Sequence, residues 1–235
     1  MHFFEGGTQF LPSQISIIQL IHSSDSSQIF LVQHEGAEYC LKVFHVNEDP
    51  GFTSKGRDLC RHRCEIEAYK LLSAAGICKQ GFVPRFYALF QDIDPLIFTP
   101  HLNVFLRDAH HPCAILLEYL PDAQRLTCAN YTRDRIQTVI LGIQAVHRAR
   151  VVHNDPYPKN VLIVPSSLAG NGVDDDRVVW IDFDIAMNFG SEKSGWRLKY
   201  DESEEIAFEK RLVEGYGMML KEDQREGLPP NTKYY

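Results

Sequence analysis

His153-Asn-Asp-Pro-Tyr-Pro-Lys-Asn160 is the stretch on which the fold turns. It lies between a long helical pattern and a short apolar run, Val161–Val164. A second short run, Val178–Ile181, leads directly into Asp182-Phe-Asp184. Pro156 and Pro158 stiffen the loop by fixing their own φ angles. Two adjacent short strands would bring Asp155, Asn160 and Asp182 toward one end of a hairpin. A base and two hard-oxygen metal ligands would then surround one point.

Working outward, Tyr131 to Ala149 is predicted as a helix, because Ile136, Val139, Ile140, Ile143 and Val146 recur at helical spacing. Toward the N-terminus the pattern becomes strand-like. Ile15–Ile21, Gln28–Gln33 and Tyr39–Phe44 read as three strands, the first pair joined by the polar His22-Ser-Ser-Asp-Ser-Ser27 and the second by a turn containing Gly36. A helix is expected from Arg57 to about Ala75, stopped by Gly76. Further strands are expected at 85–90 and 114–119, with a loop excursion over 91–111. Past the hairpin, a final helix is expected over Glu204–Leu220, its acidic start suited to the positive end of a helix dipole. The insert between the two short runs reads as loop, and Asp174-Asp-Asp176 within it as a solvated segment in preference to a further metal site.

The 235 residues carry 24 basic and 31 acidic side chains, for a net charge of −7, and 44% are hydrophobic. Such a chain can bury a core, which excludes a disulfide miniprotein, a long coiled coil and a predominantly disordered chain. The acidic balance and the lack of basic–aromatic alternation weigh against nucleic acid as a partner. No apolar run is long enough to span a bilayer, and the N-terminus lacks a signal-like basic and apolar pattern. The expectation is therefore an intracellular, cytoplasmic protein with no membrane partner. The six cysteines form no regular framework and read as free thiols; Cys60-Arg-His-Arg-Cys64 falls inside a helical pattern without a second ligand pair.

In order along the chain, Cys40-Leu-Lys-Val-Phe44, HNDPYPKN and Ile181-Asp-Phe-Asp184 resemble the phosphate-binding-lysine strand, catalytic loop and metal-binding D-F-G of the protein-kinase-like superfamily. The resemblance covers roughly residues 15–190. It implies an α+β, two-lobed protein-kinase-like fold: an antiparallel-sheet N-terminal lobe over 12–120 and a shortened helical C-terminal lobe over 121–235. It implies ATP and magnesium as cofactors. Asp155 would accept or orient the proton of an attacking hydroxyl, Asn160 and Asp182 would hold magnesium, and Lys42 would pair with the α/β-phosphates. Lys42 needs an orienting carboxylate; Glu65 and Glu67 both lie on the following helix, and the resemblance to the E-x-x-A-Y pattern of small-molecule and compact fungal kinase-like proteins favours Glu65. Glu118, Tyr119 and Leu120 resemble the connector whose backbone meets adenine, and His153 would scaffold the loop.

Several departures shape the functional expectation. HSSDSSQ stands where the family has a glycine-rich phosphate loop, and serines allow a less close backbone approach. Asn154 and Tyr157 differ from conventional protein kinases, and D-P-Y-P-K-N is closer to the loop of aminoglycoside- and choline-kinase-like enzymes. Asp184 replaces the glycine, and only 51 residues follow it, without an A-P-E. The expected function is an ATP-dependent, magnesium-assisted phosphotransferase acting on a protein or small-molecule hydroxyl. The alternative is a non-catalytic pseudokinase or a nucleotide- or protein-binding module. Oligomeric state is not legible.

Overall fold

The computed structural model describes residues 10–165 and 176–230. They form a mixed α+β structure that divides by contact into two units, residues 1–51 with 85–119 and residues 52–84 with 120–235.

The first unit is built on a five-stranded antiparallel sheet. Its strands are β1 (Ser16–Ser23), β2 (Ser27–His34), β3 (Ala37–Phe44), β4 (Phe86–Phe90) and β5 (Cys113–Glu118), in the spatial order β1-β2-β3-β5-β4. Strand alternation sorts the side chains. Phe30 and Val32, Leu41 and Val43, Ala114 and Leu116, and Ala88 and Phe90 all enter one apolar core. The excursion expected as loop over 91–111 covers that core. It contains two 3-10 turns, Pro95–Phe98 and Asn103–Arg107; their Phe98 and Phe105, with Leu102 just before the second, pack into the same cluster. Lys42 stands between Leu41 and Val43, so its side chain leaves on the opposite face of β3.

The second unit contains α1 (Arg61–Ala74), the single turn α2 (Ile77–Gln80), α3 (Arg133–Arg148) and α4 (Glu202–Glu226). Two small antiparallel sheets accompany them. One has the order β6 (Gln124–Arg125), β8 (Val161–Val164), β9 (Arg177–Trp180); the other pairs β7 (Val151–Val152) with β10 (Met187–Asn188). Trp180 is fully buried beneath α3, where its Nε1–H donates to the Val139 carbonyl at 3.0 Å. Among the described residues no helix is long and apolar enough to cross a membrane.

Three differences from the sequence reading have physical causes. A single cut at 120/121 assigns the first helix to the N-terminal lobe, whereas residues 52–84 group with the second unit, because α1 packs on β7 and β10. That helix begins at Arg61 and not Arg57: the Asp58 carboxylate accepts the Cys60 N–H at 2.8 Å, and Phe52 and Asp58 form an isolated β-bridge. Helix α4 starts earlier and ends later than expected. Asp201 caps it by accepting the Ser203 and Glu204 N–H groups at 2.8 and 3.1 Å, and it stops at Gly227, where φ is +67°.

Candidate functional site

Strands β8 and β9 pair with Val161 opposite Trp180, and the Ile181 N–H donates to the Asn160 carbonyl at 3.0 Å. Asp182 thus leaves the hairpin one residue beyond a bond that ties it to Asn160. Asp182 itself has a φ of +66°, an uncommon conformation for a residue with a side chain. Asn160 is buried, and its Nδ2 donates to both the main-chain carbonyl and Oδ2 of Asp155, each at 2.9 Å. With both amide protons engaged, its side-chain oxygen is the atom left to serve a cation. Lys159 Nζ lies 2.9 Å from the same Asp155 Oδ2. Asp155, Asn160 and the stem of Asp182 are therefore brought together, with Lys159 as a member the sequence reading did not single out.

Arg61, at the start of α1, pairs with Asp184. This hydrogen bond and the Asp184 charge, followed by the fields of Asp182 and Asp155, hold the Arg61 guanidinium protonated more firmly than usual. One arginine consequently faces three carboxylates of the hairpin region. Asp184, in the position where the resembling family has glycine, is 9% exposed and anchors the post-hairpin segment to α1.

The backbone of the loop is fixed from below. Glu209 on α4 is 2% exposed; it accepts the His153 N–H at 3.1 Å, the Asn154 N–H at 2.5 Å and His147 Nε2 at 2.7 Å. Asn154 adopts a φ of +65° and donates from Nδ2 to the Ile185 carbonyl at 3.0 Å. His153 is completely buried, 2.9 Å through Nε2 from the Ile181 carbonyl, with its ring 4.7 Å from that of Phe183. These contacts are those of a scaffolding histidine.

The remaining predicted residues are distributed between the units. Glu65 is 1% exposed within the second unit. Glu67, one of the two carboxylates weighed for pairing, accepts from Ser191 Oγ at 2.8 Å and lies 3.7 Å from Lys70. Lys42 belongs to the first unit, 6% exposed, with Nζ 5.5 Å from the centroid of Phe44. Glu118 and Tyr119 end the first unit, and Leu120 opens the last stretch of the second. The Glu118 Oε2 accepts the Arg85 N–H at 3.1 Å, and its own N–H donates to the Arg85 carbonyl at 2.9 Å, so its carboxylate closes the β4–β5 end.

The serine turn between β1 and β2 is closed on itself. Ser24 Oγ accepts the Ser26 and Ser27 N–H groups at 3.3 and 3.1 Å, and the Ser24 N–H donates to the Ser27 carbonyl at 2.9 Å. Among the described residues, no group of three or more His, Cys, Asp or Glu is arranged to hold a metal. Two carboxylates and an amide fall outside that pattern yet suit magnesium, which commonly keeps several waters and phosphate oxygens. In the acidic insert, Asp174 and Asp175 lie outside the described residues, and Asp176 pairs with Arg135.

Sequence signals for the missed members are uneven. Lys159 sits inside the quoted motif; Arg61 stands four residues before Glu65 and shares its helical face. Nothing in the spacing marks Glu209, because its role comes from long-range packing. No family model matches the chain, and no curated protein matches it in sequence.

Proposed function

We propose that the protein is an ATP-dependent, magnesium-assisted phosphotransferase of protein-kinase-like, two-lobed architecture, acting on a protein or small-molecule hydroxyl. The observation that carries this reading is the Asp155–Asn160 hydrogen-bond pair joined through the β8–β9 hairpin to Asp182. The strand order β1-β2-β3-β5-β4, with buried Lys42 on the central strand, is consistent with it.

In this reading the acceptor hydroxyl gives its proton to Asp155 as its oxygen bonds to the γ-phosphorus. The bond from that phosphorus to the β–γ bridging oxygen breaks, and ADP departs. Lys159 and Asn160 hold the Asp155 carboxylate in a fixed orientation before the acceptor arrives. The Asn160 side-chain oxygen and the Asp182 carboxylate are the ligands offered to magnesium, which would offset charge on the β- and γ-phosphates. Lys42 would take the α/β-phosphates, and the backbone of Glu118, Tyr119 and Leu120 would receive adenine.

The test is magnesium-dependent ATP turnover by the full chain, with Asp155→Ala and Asp182→Ala each expected to lower it by about 10²-fold or more. Turnover unchanged in both variants would sink the mechanism. A second reading, nucleotide or protein binding without transfer, is favoured by the serine turn, whose Ser26 and Ser27 N–H groups are already taken by Ser24. ATP binding with no turnover in the wild-type chain would select it.

A further inference from the structure

Two segments more than a hundred residues apart in sequence meet within the second unit. Residues 52–63 form a compact turn, with the Thr53 N–H donating to the Arg57 carbonyl at 2.9 Å. Residues 193–199 run against it, and the Lys199 N–H donates to the Lys55 carbonyl at 2.9 Å. The approach depends on Gly56: at its φ of +81°, an added Cβ would lie 1.8 Å from the Arg197 carbonyl oxygen. An open pocket of about 230 Å³ lies there, with Phe52, Asp58, Arg63, Lys193, Ser194 and Arg197 on its wall.

The charges on that wall are unequally matched. Asp58 receives the Arg63 fork at 2.9 and 2.8 Å as well as the Cys60 N–H. Glu67, also on the wall, is held by Ser191 and Lys70. Arg197 has aromatic partners instead: its guanidinium carbon lies 4.8 Å from the Phe52 centroid and 4.6 Å from that of Trp196. Among the described residues neither Arg197 nor Lys193 has a carboxylate within salt-bridge distance, and the Ser194 hydroxyl has no hydrogen-bond partner. Contact with the two rings restrains the guanidinium without using its N–H donors.

We propose that this pocket is a binding site for a small phosphomonoester, separate from the Asp155–Asn160–Asp182 hairpin. A fork-shaped cation, a point cation and a hydroxyl on one wall together supply several donors, which suits a tetrahedral group with several oxygens. A planar carboxylate would be satisfied by the arginine fork alone. A water occupies about 30 Å³, so the volume admits a phosphate and the first few atoms attached to it. A chain of net charge −7 repels an extended polyanion, which favours a single phosphate-bearing molecule over nucleic acid.

The test is calorimetric titration of the full chain with O-phosphoserine at fixed ionic strength, with unphosphorylated serine as control. Saturable binding of O-phosphoserine alone is expected, weakened at least about tenfold in Lys193→Ala/Arg197→Ala. Both side chains are exposed, so this variant should keep the wild-type thermal melt. Lys42→Ala, in the first unit, should bind O-phosphoserine as the wild type does. Absence of saturable binding, binding that survives the double substitution, or binding lost in Lys42→Ala would each overturn the assignment. None of these outcomes depends on phosphotransfer.

Discussion

A carboxylate that is 2% exposed and accepts from two consecutive backbone N–H groups sets the course of the main chain there, and Glu209 does so at His153 and Asn154. Glu209→Ala leaves both amides and the His147 ring without an acceptor in a dry environment. The expected loss is about 3–5 kcal/mol, read from urea unfolding. Glu209→Gln keeps one acceptor oxygen and should cost less. If the Ala variant unfolds within about 1 kcal/mol of wild type, the carboxylate does not anchor the loop. Cys64 carries a second residue-scale prediction. Burial, followed by the Asp58 charge, pushes its thiol up to about 12 from 9.0. A thiol whose folded pKa is raised binds its proton more tightly in the native state. Its contribution is therefore intact below pH 9 and lost as pH rises toward 12, where the unfolded thiol ionises first. Three pH units correspond to roughly 4 kcal/mol as an upper bound. Stability measured from pH 8 upward should fall more steeply in wild type than in Cys64→Ala; identical slopes would refute the assignment.

At the scale of elements, helix α3 shows how packing reverses a local preference. Gly142 lies in its interior, where alanine ordinarily stabilises a helix by about 1 kcal/mol. Here a Cβ would stand 2.8 Å from Trp180 Cδ1 and 3.3 Å from a Phe82 ring carbon, and that indole is fully buried and bonded to Val139. Gly142→Ala should accordingly destabilise, by about 1–3 kcal/mol, and shift the emission of Trp180. A stabilised variant would mean that α3 and β9 can separate without cost. The apolar spacing of Ile136, Val139, Ile143 and Val146 made α3 legible, since a helix advertises its buried face. The hairpin was legible for a related reason: Val161–Val164 and the run ending at Ile181 are apolar, short and bounded by polar loop. By contrast, β6, β7 and β10 are two-residue strands too brief to show a period, and the turns over 95–107 expose Leu96, Ile97, Val104 and Leu106 while burying Phe98 and Phe105. Their apolar residues follow neither strand nor helix spacing.

On the scale of the whole molecule, the chain leaves and re-enters each unit, so neither is a continuous segment. Sequence reading assigns a helix to the lobe whose strands flank it, because neighbouring elements usually pack together. Helix α1 departs from that tendency. Its buried Cys64, Ile66, Tyr69 and Leu72 belong to the second unit, Asn188 Nδ2 donates to the Cys64 carbonyl at 2.9 Å, and Tyr69 meets Phe183 edge-on at 5.6 Å. The same reasoning explains why Asp155, Asn160 and Asp182 were legible as a group while Glu209 and Arg61 were not. Those three sit at one hairpin end, where local register determines proximity; the other two reach the loop through the packing of α4 and α1. A fragment ending at Tyr119 retains all five strands of the sheet and α2 but removes β7 and β10, on which α1 packs. It should bind a hydrophobic dye strongly, and amides 61–74 should exchange at least about tenfold faster than in the full chain while those of β2, β3 and β5 stay protected. Protection of α1 in that fragment would show that the helix is held by the first unit, and the grouping of residues 52–84 with the second would have to be abandoned.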